Sequence, residues 1–420
     1  MGAQYCDVLS TVSNVTDLEC EYLLGRKSDA ILPNGMNLGS SAQSLMHNES
    51  VFHRHTSKIK IRDFIRSHFY GQLDQLDPDN SLYLFTAGRY EFANKGADMF
   101  IESLARLNER LKAEKNKTTP TIVAFIIMNA KTTSITNECL HRQATVKTLQ
   151  DAISWIEKSI TKKLLERTLT WREGDQIPTE TELISEEENA ALRRRLYGLQ
   201  RDCPPPMTTH HLVDEENDPV LNHLKRFNLT NAPEDKVKVI FYPEFLKSSS
   251  PVFPVDYEEF VRGTHLGIFP SKYEPWGYTP AECIAKGIPA MATNVSGFGN
   301  YMEHLLKDVS GPDHGLYIID RLTNGYDEAV KQMADYLYEF SQSRTRDRVP
   351  QRNRAGRLAE ILDWNHMNIE YRKTRSLALR RVYSQGYFAV LEDILELVPE
   401  VKQKPELFLS SLPCTPMIDL

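Results

Sequence analysis

The segment richest in usable chemistry is Glu274-Pro-Trp-Gly-Tyr-Thr-Pro-Ala-Glu282, where two carboxylates eight positions apart flank a turn. Gly277, Tyr278, Thr279 and Pro280 read as a turn entering a helix, whose first unpaired N–H groups and positive dipole end suit a phosphate. Pro280 stands early in that helix, where its missing N–H costs nothing. Glu274, ahead of the helix, is placed to face a sugar, and Glu282, inside it, to bond ribose hydroxyls. Spacing alone is weak support, because Glu pairs eight apart are common on solvated helices; the Pro-Trp-Gly-Tyr-Thr-Pro filling sets this segment apart. A second cluster, Gly88-Arg-Tyr-Glu-Phe-Ala-Asn-Lys-Gly-Ala-Asp98, directly follows an apolar run. Ligands of open parallel sheets bind beyond the carboxyl ends of strands. Arg89 would meet an anion there with a permanent fork and Lys95 with a point charge; the plain alternative is a helix-entry loop with solvated cations.

A third concentration is basic: Arg344, Arg346, Arg348, Arg352, Arg354 and Arg357, with only Asp347 among them. Arg344, Arg348 and Arg352 fall at i, i+4 and i+8, one face of a helix. A solvated face is the bland explanation. Single-stranded nucleic acid is disfavoured, since no aromatic residues are interleaved. Pro350 removes a donor and crowds the preceding turn, which predicts that Arg352 is kinked away from Arg348. His210-His211 beside Asp214, in a Pro-rich loop, reads as solvent-facing rather than as a metal pair, and no metal or cofactor is called for.

These residues need a scaffold, and the patterning supplies one. Short apolar runs alternate with amphipathic stretches, the signature of parallel strands covered by helices. Leu82–Thr86, Thr121–Met128, Val237–Phe241, Leu266–Phe269, Ile288–Ala292 and Gly315–Ile319 are the strands, with helices at 95–114, 255–263, 280–286, 299–307 and 326–341, making one doubly wound sheet. The stretch 135–232 shows no convincing strand. In it Val146, Leu149, Ile153, Ile156, Ile160 and Leu164 step by three and four, close to an a/d seam that wants another helix; such a helix either lies on its own domain or forms an inserted arm for oligomerisation. Ser185–Arg195 reads as a second helix, ended by Cys203-Pro-Pro-Pro206. Helices follow at Glu370–Val382 and around Ala389–Leu397.

Composition bounds the rest. A chain of 420 residues, 41% hydrophobic, buries a sizeable core and suggests two or three units at roughly 100–200 residues per domain. A net charge of −7 argues against a dominant nucleic-acid-binding surface, so any anion site is local. The six cysteines are far apart with no CxxC pair, which suggests reduced thiols rather than a disulfide or zinc framework. No run of about eighteen apolar residues and no signal-like start occurs, so the chain is expected in the cytoplasm, and the sequons at Asn228 and Asn294 are chance matches.

Taken together, Thr11-Val-Ser13, Leu32–Leu38, His68–Gly71, Ala87–Phe92, Asp256–Gly263, Arg352–Arg354 and Leu362-Asp-Trp364, with the segments above, resemble the glycogen synthases of the animal and fungal type. The resemblance implies the C-terminal Rossmann-like domain of a two-domain, GT-B type glycosyltransferase with an inserted helical arm. Its expected parts are a remnant of the first domain and interdomain crossing at 1–40, the nucleotide domain at 41–134 and 233–342, the oligomerisation arm at 135–232, the regulatory and C-terminal helices at 343–400, and a tail at 401–420. Most of a preceding Rossmann domain is expected to be lacking.

What the resemblance implies for function is retaining transfer of glucose from UDP-glucose to the 4-hydroxyl of an α-1,4-glucan, with Arg89, Lys95 and Glu274 catalytic. Phe245, Tyr257, Glu274, Trp276, Gly277, Tyr278, Thr279 and Glu282 would bind UDP-glucose, Phe245 and Tyr257 at the uracil. His47, His53, Lys58, His265, Arg348 and Arg352 would bind glucose 6-phosphate as allosteric effector. Implied partners are glycogen, glycogenin and further copies of the chain in a homotetramer, with no nucleic acid or membrane. A competing reading is a catalytically silent subunit that binds nucleotide or sugar phosphate and joins synthase oligomers.

Overall fold

The computed structural model describes residues 2–38, 48–114, 119–172, 183–197, 204–307 and 309–382. Its centre is a six-stranded parallel sheet of β1 (Leu82–Gly88), β2 (Ile122–Met128), β3 (Val237–Tyr242), β4 (Leu266–Phe269), β5 (Ala290–Thr293) and β6 (Leu316–Ile319). The runs expected as strands are these, with ends shifted by a residue or two. β2 is buried at every position, as a continuous apolar run must be when helices cover both sheet faces. Successive residues divide between two cores. Tyr83, Phe85, Val123 and Phe125 pack with Phe64, Phe253 and Phe260 on one face, while Leu82, Leu84, Ala124 and Ile126 pack with Phe100, Leu104 and Leu221 on the other.

The spatial order is β6-β5-β4-β1-β2-β3. The chain winds outward from β1 to β3, returns, and lays β4 against the opposite edge of β1. This is the doubly wound order, and its direction reverses between β1 and β4, so the chain runs on from these two carboxyl ends to helices on opposite faces of the sheet, the position of the crevice in such folds. Gly96 controls how closely the loops meet. With φ +70° it starts the helix Ala97–Ala113, and a Cβ on it would lie 2.0 Å from the Pro270 carbonyl oxygen.

The helix Asn137–Leu169 is 33 residues long, about 50 Å at 1.5 Å per residue. The shorter Glu186–Tyr197 lies along it, tied by Lys163 to Glu188 at 3.3 Å and by Arg195 to the Thr148 carbonyl at 3.2 Å. The seam is covered on one flank only: Val146 and Ile156 are buried, whereas Ile153 is 48% exposed and Leu164, three turns further on, is exposed as well. At the foot of the helix a buried Arg142 bonds Glu138 at 2.7 Å and the His68 carbonyl at 3.2 Å, the end of a helix Asn48–His68 that the patterning does not announce.

Three sequence expectations are corrected. The stretch 135–232 is not free of strands, because His210–Leu212 pairs antiparallel with Thr132–Ile135 and closes the chain at the foot of the long helix. His210 is consequently buried rather than solvent-facing, and only His211 is exposed. Beyond it, the helix Pro219–Arg226 sends Val220, Leu221 and Leu224 into the sheet's core. Finally, the arginine helix runs unbroken from Thr345 to Ala359 with Pro350 inside it. Arg344 precedes that helix in extended conformation and turns to Asp347 at 3.1 Å, so the expected three-arginine stripe is a pair. Cys203 and the helix expected around Ala389–Leu397 lie outside the described residues.

The N-terminal segment is attached to the site side of the sheet. Its helix Asn14–Leu24, capped by Ser13, bonds Asn300 from Asn14 at 2.9 Å and accepts from the Tyr273 hydroxyl on Glu19 at 2.7 Å. Among the described residues, no helix is long and apolar enough to cross a membrane.

Candidate functional site

At the crevice between β1 and β4 the two sequence clusters meet. Lys95, from the loop after β1, donates to Glu274 Oε1 at 2.8 Å, and Ser271 donates to Glu274 Oε2 at 3.2 Å. The Lys95 stem folds back over Gly88, where an added Cβ would touch its Cδ at 3.5 Å. An ammonium has three donors, so the pair leaves Lys95 capable of further bonds to an anion. Arg89 stands one residue past β1, 78% exposed, with Glu91 at 3.1 Å. Such an exposed pair is worth little and yields readily to a more highly charged partner.

Glu274 is set by its backbone as well. Its carbonyl accepts from Gly297 at 3.0 Å, and the Trp276 carbonyl accepts from Phe298 at 2.8 Å, which pins the loop to the start of the helix Gly297–Leu305. The Trp276 indole is buried, edge-on to Phe298 at 6.2 Å, and acts as a wedge beneath the loop. Gly277, at φ +103°, then turns the chain into the helix Tyr278–Ala285, leaving Tyr278 exposed, Thr279 half-buried and the first-turn N–H groups at the crevice. Backbone N–H groups, one ammonium and one guanidinium are thus carried by the loops at this carboxyl edge, donor types suited to a di-anion.

Further along the same wall, Tyr257 begins the helix Tyr257–Gly263, which Asp256 caps through the Glu259 N–H at 2.8 Å. Burial, then the nearby Cys283 and Glu282, push the Tyr257 hydroxyl well up, and it has no hydrogen-bond partner. Glu282 is half-buried; burial raises its carboxyl, with Glu258 adding to the effect and Lys286 opposing it. Phe245 projects from the loop after β3, 66% exposed.

A second constellation lies away from this crevice. A cavity of about 190 Å³ is lined by Arg54, Lys58 and Arg62 of the helix Asn48–His68, by His265, and by Arg348 and Arg352. Nε of Arg54, Arg62 and Arg352 and one terminal nitrogen of Arg348 are buried without a partner. Burial lowers Arg352 to about 10, and burial with Arg62 and Arg348 nearby lowers Lys58 to about 8. Five cations crowded together with idle donors form a cradle for an anion.

The family model described as glycogen synthase matches residues 1–417. The chain belongs to the glycogen synthase family. It is 51% identical over 403 residues to the glycogen [starch] synthase of Neurospora crassa, 49% over 392 to isoform 1 of Saccharomyces cerevisiae, and 44% over 380 to the liver protein of Rattus norvegicus. These alignments cover 96%, 92% and 90% of this chain and 56%, 54% and 52% of the relatives, so the chain spans about half the length of the curated relatives it matches.

Within this glycogen synthase family member, the residues expected at the nucleotide wall fall along one side of the sheet's carboxyl edge, and Lys95 and Glu274 touch. Of the expected effector residues, Lys58, His265, Arg348 and Arg352 converge on the basic cavity, so Pro350 does not carry Arg352 away from Arg348. His53 is exposed and does not line the cavity, and His47 lies outside the described residues. Arg54 and Arg62 were not anticipated. Their signal was available, since Arg54, Lys58 and Arg62 repeat the i, i+4, i+8 spacing of the arginine helix.

Proposed function

We propose that this chain supplies the donor side of a glycogen synthase, holding UDP-glucose in the crevice beyond β1 and β4 for retaining transfer of glucose to the non-reducing 4-hydroxyl of an α-1,4-glucan. The observation that carries this reading is the meeting of Lys95, Glu274 and the start of the helix Tyr278–Ala285 at the point where strand order reverses. Cleaving the anomeric C–O bond puts negative charge on the departing UDP and positive character on the sugar. Donors fixed on the β-phosphate stabilise that transition state more than the ground state. Arg89, Lys95 and the N–H groups following Gly277 are those donors.

Glu274 has one oxygen on Lys95 and the other on Ser271, which suits orienting glucose and facing the developing cation better than covalent attack. In a front-face route the acceptor O4 bonds C1 as the C1–O bond to phosphate breaks, and the 4-hydroxyl proton passes to the leaving phosphate oxygen. Glu282 contacts ribose, Tyr257 stacks on uracil, the Phe245 main chain reads its edge, and Trp276, Tyr278 and Thr279 complete the wall. The basic cavity takes glucose 6-phosphate, the long helical arm joins copies into a tetramer, and glycogen and glycogenin are partners of a cytoplasmic enzyme.

The test is incorporation of radiolabelled glucose from UDP-glucose into glycogen, with and without glucose 6-phosphate, alongside calorimetric titration of UDP. Weakened UDP binding in both Arg89→Ala and Lys95→Ala is expected. Undiminished UDP affinity in both variants would move the nucleotide elsewhere.

A further inference from the structure

The loop bearing Phe245 has an unusual tether. Pro243, its first residue, accepts the Ala130 N–H at 3.0 Å, and at its far end Leu246 is buried in the core. Between them the Glu244 carboxylate reaches sideways to the two strands that flank the long arm. Oε1 accepts from the Thr132 hydroxyl at 2.8 Å, and Oε2 faces Nε2 of His210 at 3.7 Å. Thr132 belongs to the strand entering the arm and His210 to the strand leaving it. His210 is itself held, with Nδ1 2.8 Å from the Thr209 hydroxyl and its ring edge-on to Tyr242 at 5.3 Å.

The chain bends at Glu244 just past the end of β3, so the directions of its side chains are set by what each one is tied to. With Glu244 drawn to the strand pair and Leu246 sunk in the core, Phe245 between them is turned outward, which accounts for the 66% exposure of a large apolar residue. We infer that Glu244 is a positioning residue for uracil recognition: by bonding Thr132 and facing His210, it fixes the main chain at Phe245 in the presentation that reads the base. The inference rests on the proposed uracil role of Phe245 and adds how that loop is held.

The experiment uses the full 420-residue chain and two probes, UDP and inorganic pyrophosphate, titrated calorimetrically into the unaltered protein, Thr132→Val, Thr132→Ser and Glu244→Gln. Thr132→Val removes the hydroxyl at nearly constant shape and is expected to weaken UDP by about tenfold, the order of one charge-assisted bond. Pyrophosphate affinity should stay unchanged, because Arg89 and Lys95 are untouched, and Thr132→Ser should restore UDP binding. A general folding defect would weaken both probes and would not be rescued by the shorter hydroxyl. Unchanged UDP affinity in both Thr132→Val and Glu244→Gln would overturn the inference while leaving the nucleotide site standing. An unaltered chain that binds UDP no more tightly than pyrophosphate would overturn the base-reading role of Phe245 and the inference with it.

Discussion

Replacing Lys58 by Met should make the protein more stable, and the size of the gain follows from the geometry of the basic cavity. Nζ of Lys58 lies 3.2 Å from Nε2 of His265. Nδ1 of that ring accepts the Tyr83 N–H at 2.9 Å, so a neutral ring carries its proton on Nε2, the nitrogen facing Lys58. An ammonium finds no acceptor there. Burial and the positive charges of Lys58, Arg348 and Arg62 hold His265 well below its usual range, while Lys58 itself falls from 10.5 to about 8 through burial, Arg62 and Arg348. Arg54 and Arg352 add further positive charge, and Asp79, engaged by Arg62 at 3.1 Å, is the acid at the rim.

At about 1.4 kcal/mol per pH unit, that depression costs about 3 kcal/mol at neutral pH. The sign follows from the folded value lying below the unfolded one: the folded state sheds its proton first, so the cost is fully present below about 8 and fades as pH rises toward 10.5. Met keeps the unbranched stem and removes the charge. Urea unfolding at pH 7 should therefore show Lys58→Met more stable by up to about 3 kcal/mol, with the difference shrinking steeply by pH 10. Millimolar phosphate should narrow the difference at pH 7 by stabilising the unaltered protein more. A variant no more stable than the original at pH 7, or a gain independent of pH, would refute the reasoning.

On the proposed reading, Arg89→Ala made in a full-length subunit should lower glucose transfer by roughly 100- to 1000-fold, the usual effect of losing one leaving-group donor, with an unchanged unfolding midpoint; near-normal turnover in the radiolabel assay would remove it from the machinery. In a full-length subunit Glu282→Ala should raise the UDP dissociation constant more than it lowers turnover, because its proposed ribose contact would be made equally in ground and transition states, and steady-state kinetics separate the two effects. Asp at both Ile153 and Ile160 places charge on the half-covered seam, where desolvation is costly, and should reduce the mass seen by light scattering; an identical mass would make the seam an internal surface. On the proposed effector role of the basic cavity, Ala at both Arg348 and Arg352 should abolish calorimetric binding of glucose 6-phosphate and leave UDP binding intact, since the charge-assisted bonds to phosphate are the strong ones.

The central sheet was legible because its strands are continuous apolar runs, and β2 could hardly be anything else. The strand pair at the arm's foot was not, since Thr132–Ile135 and His210–Leu212 are short and polar and pair only because the tertiary structure brings them together. The helix Asn48–His68 escaped for a related reason. Its buried apolar residues Ile61, Phe64 and Ile65 occupy the second half, while Arg54, Lys58 and Arg62 face a cavity, so no single amphipathic stripe runs its length. At the crevice, Glu274 and Lys95 were readable from motif and placement after a strand. The contact between them was not, because it depends on strand order, which no local pattern encodes. In the seam, heptad spacing identified the apolar positions but could not say which flank the neighbouring helix covers, and Ile153 fell on the open side.

The close approach of Gly96 to Pro270 bears on how this protein can be damaged by mutation. Any side chain there meets both a disfavoured left-handed backbone angle and a carbonyl oxygen 2.0 Å away, so the loops after β1 and β4 must part. Lys95 and Glu274 ride on those loops, and a parting of one or two ångströms breaks their 2.8 Å contact while every chemical group stays present. A missense allele at codon 96 would thus look like the loss of Lys95 or Glu274, from a position that has no side chain of its own. A survey that truncates only polar residues would pass over it.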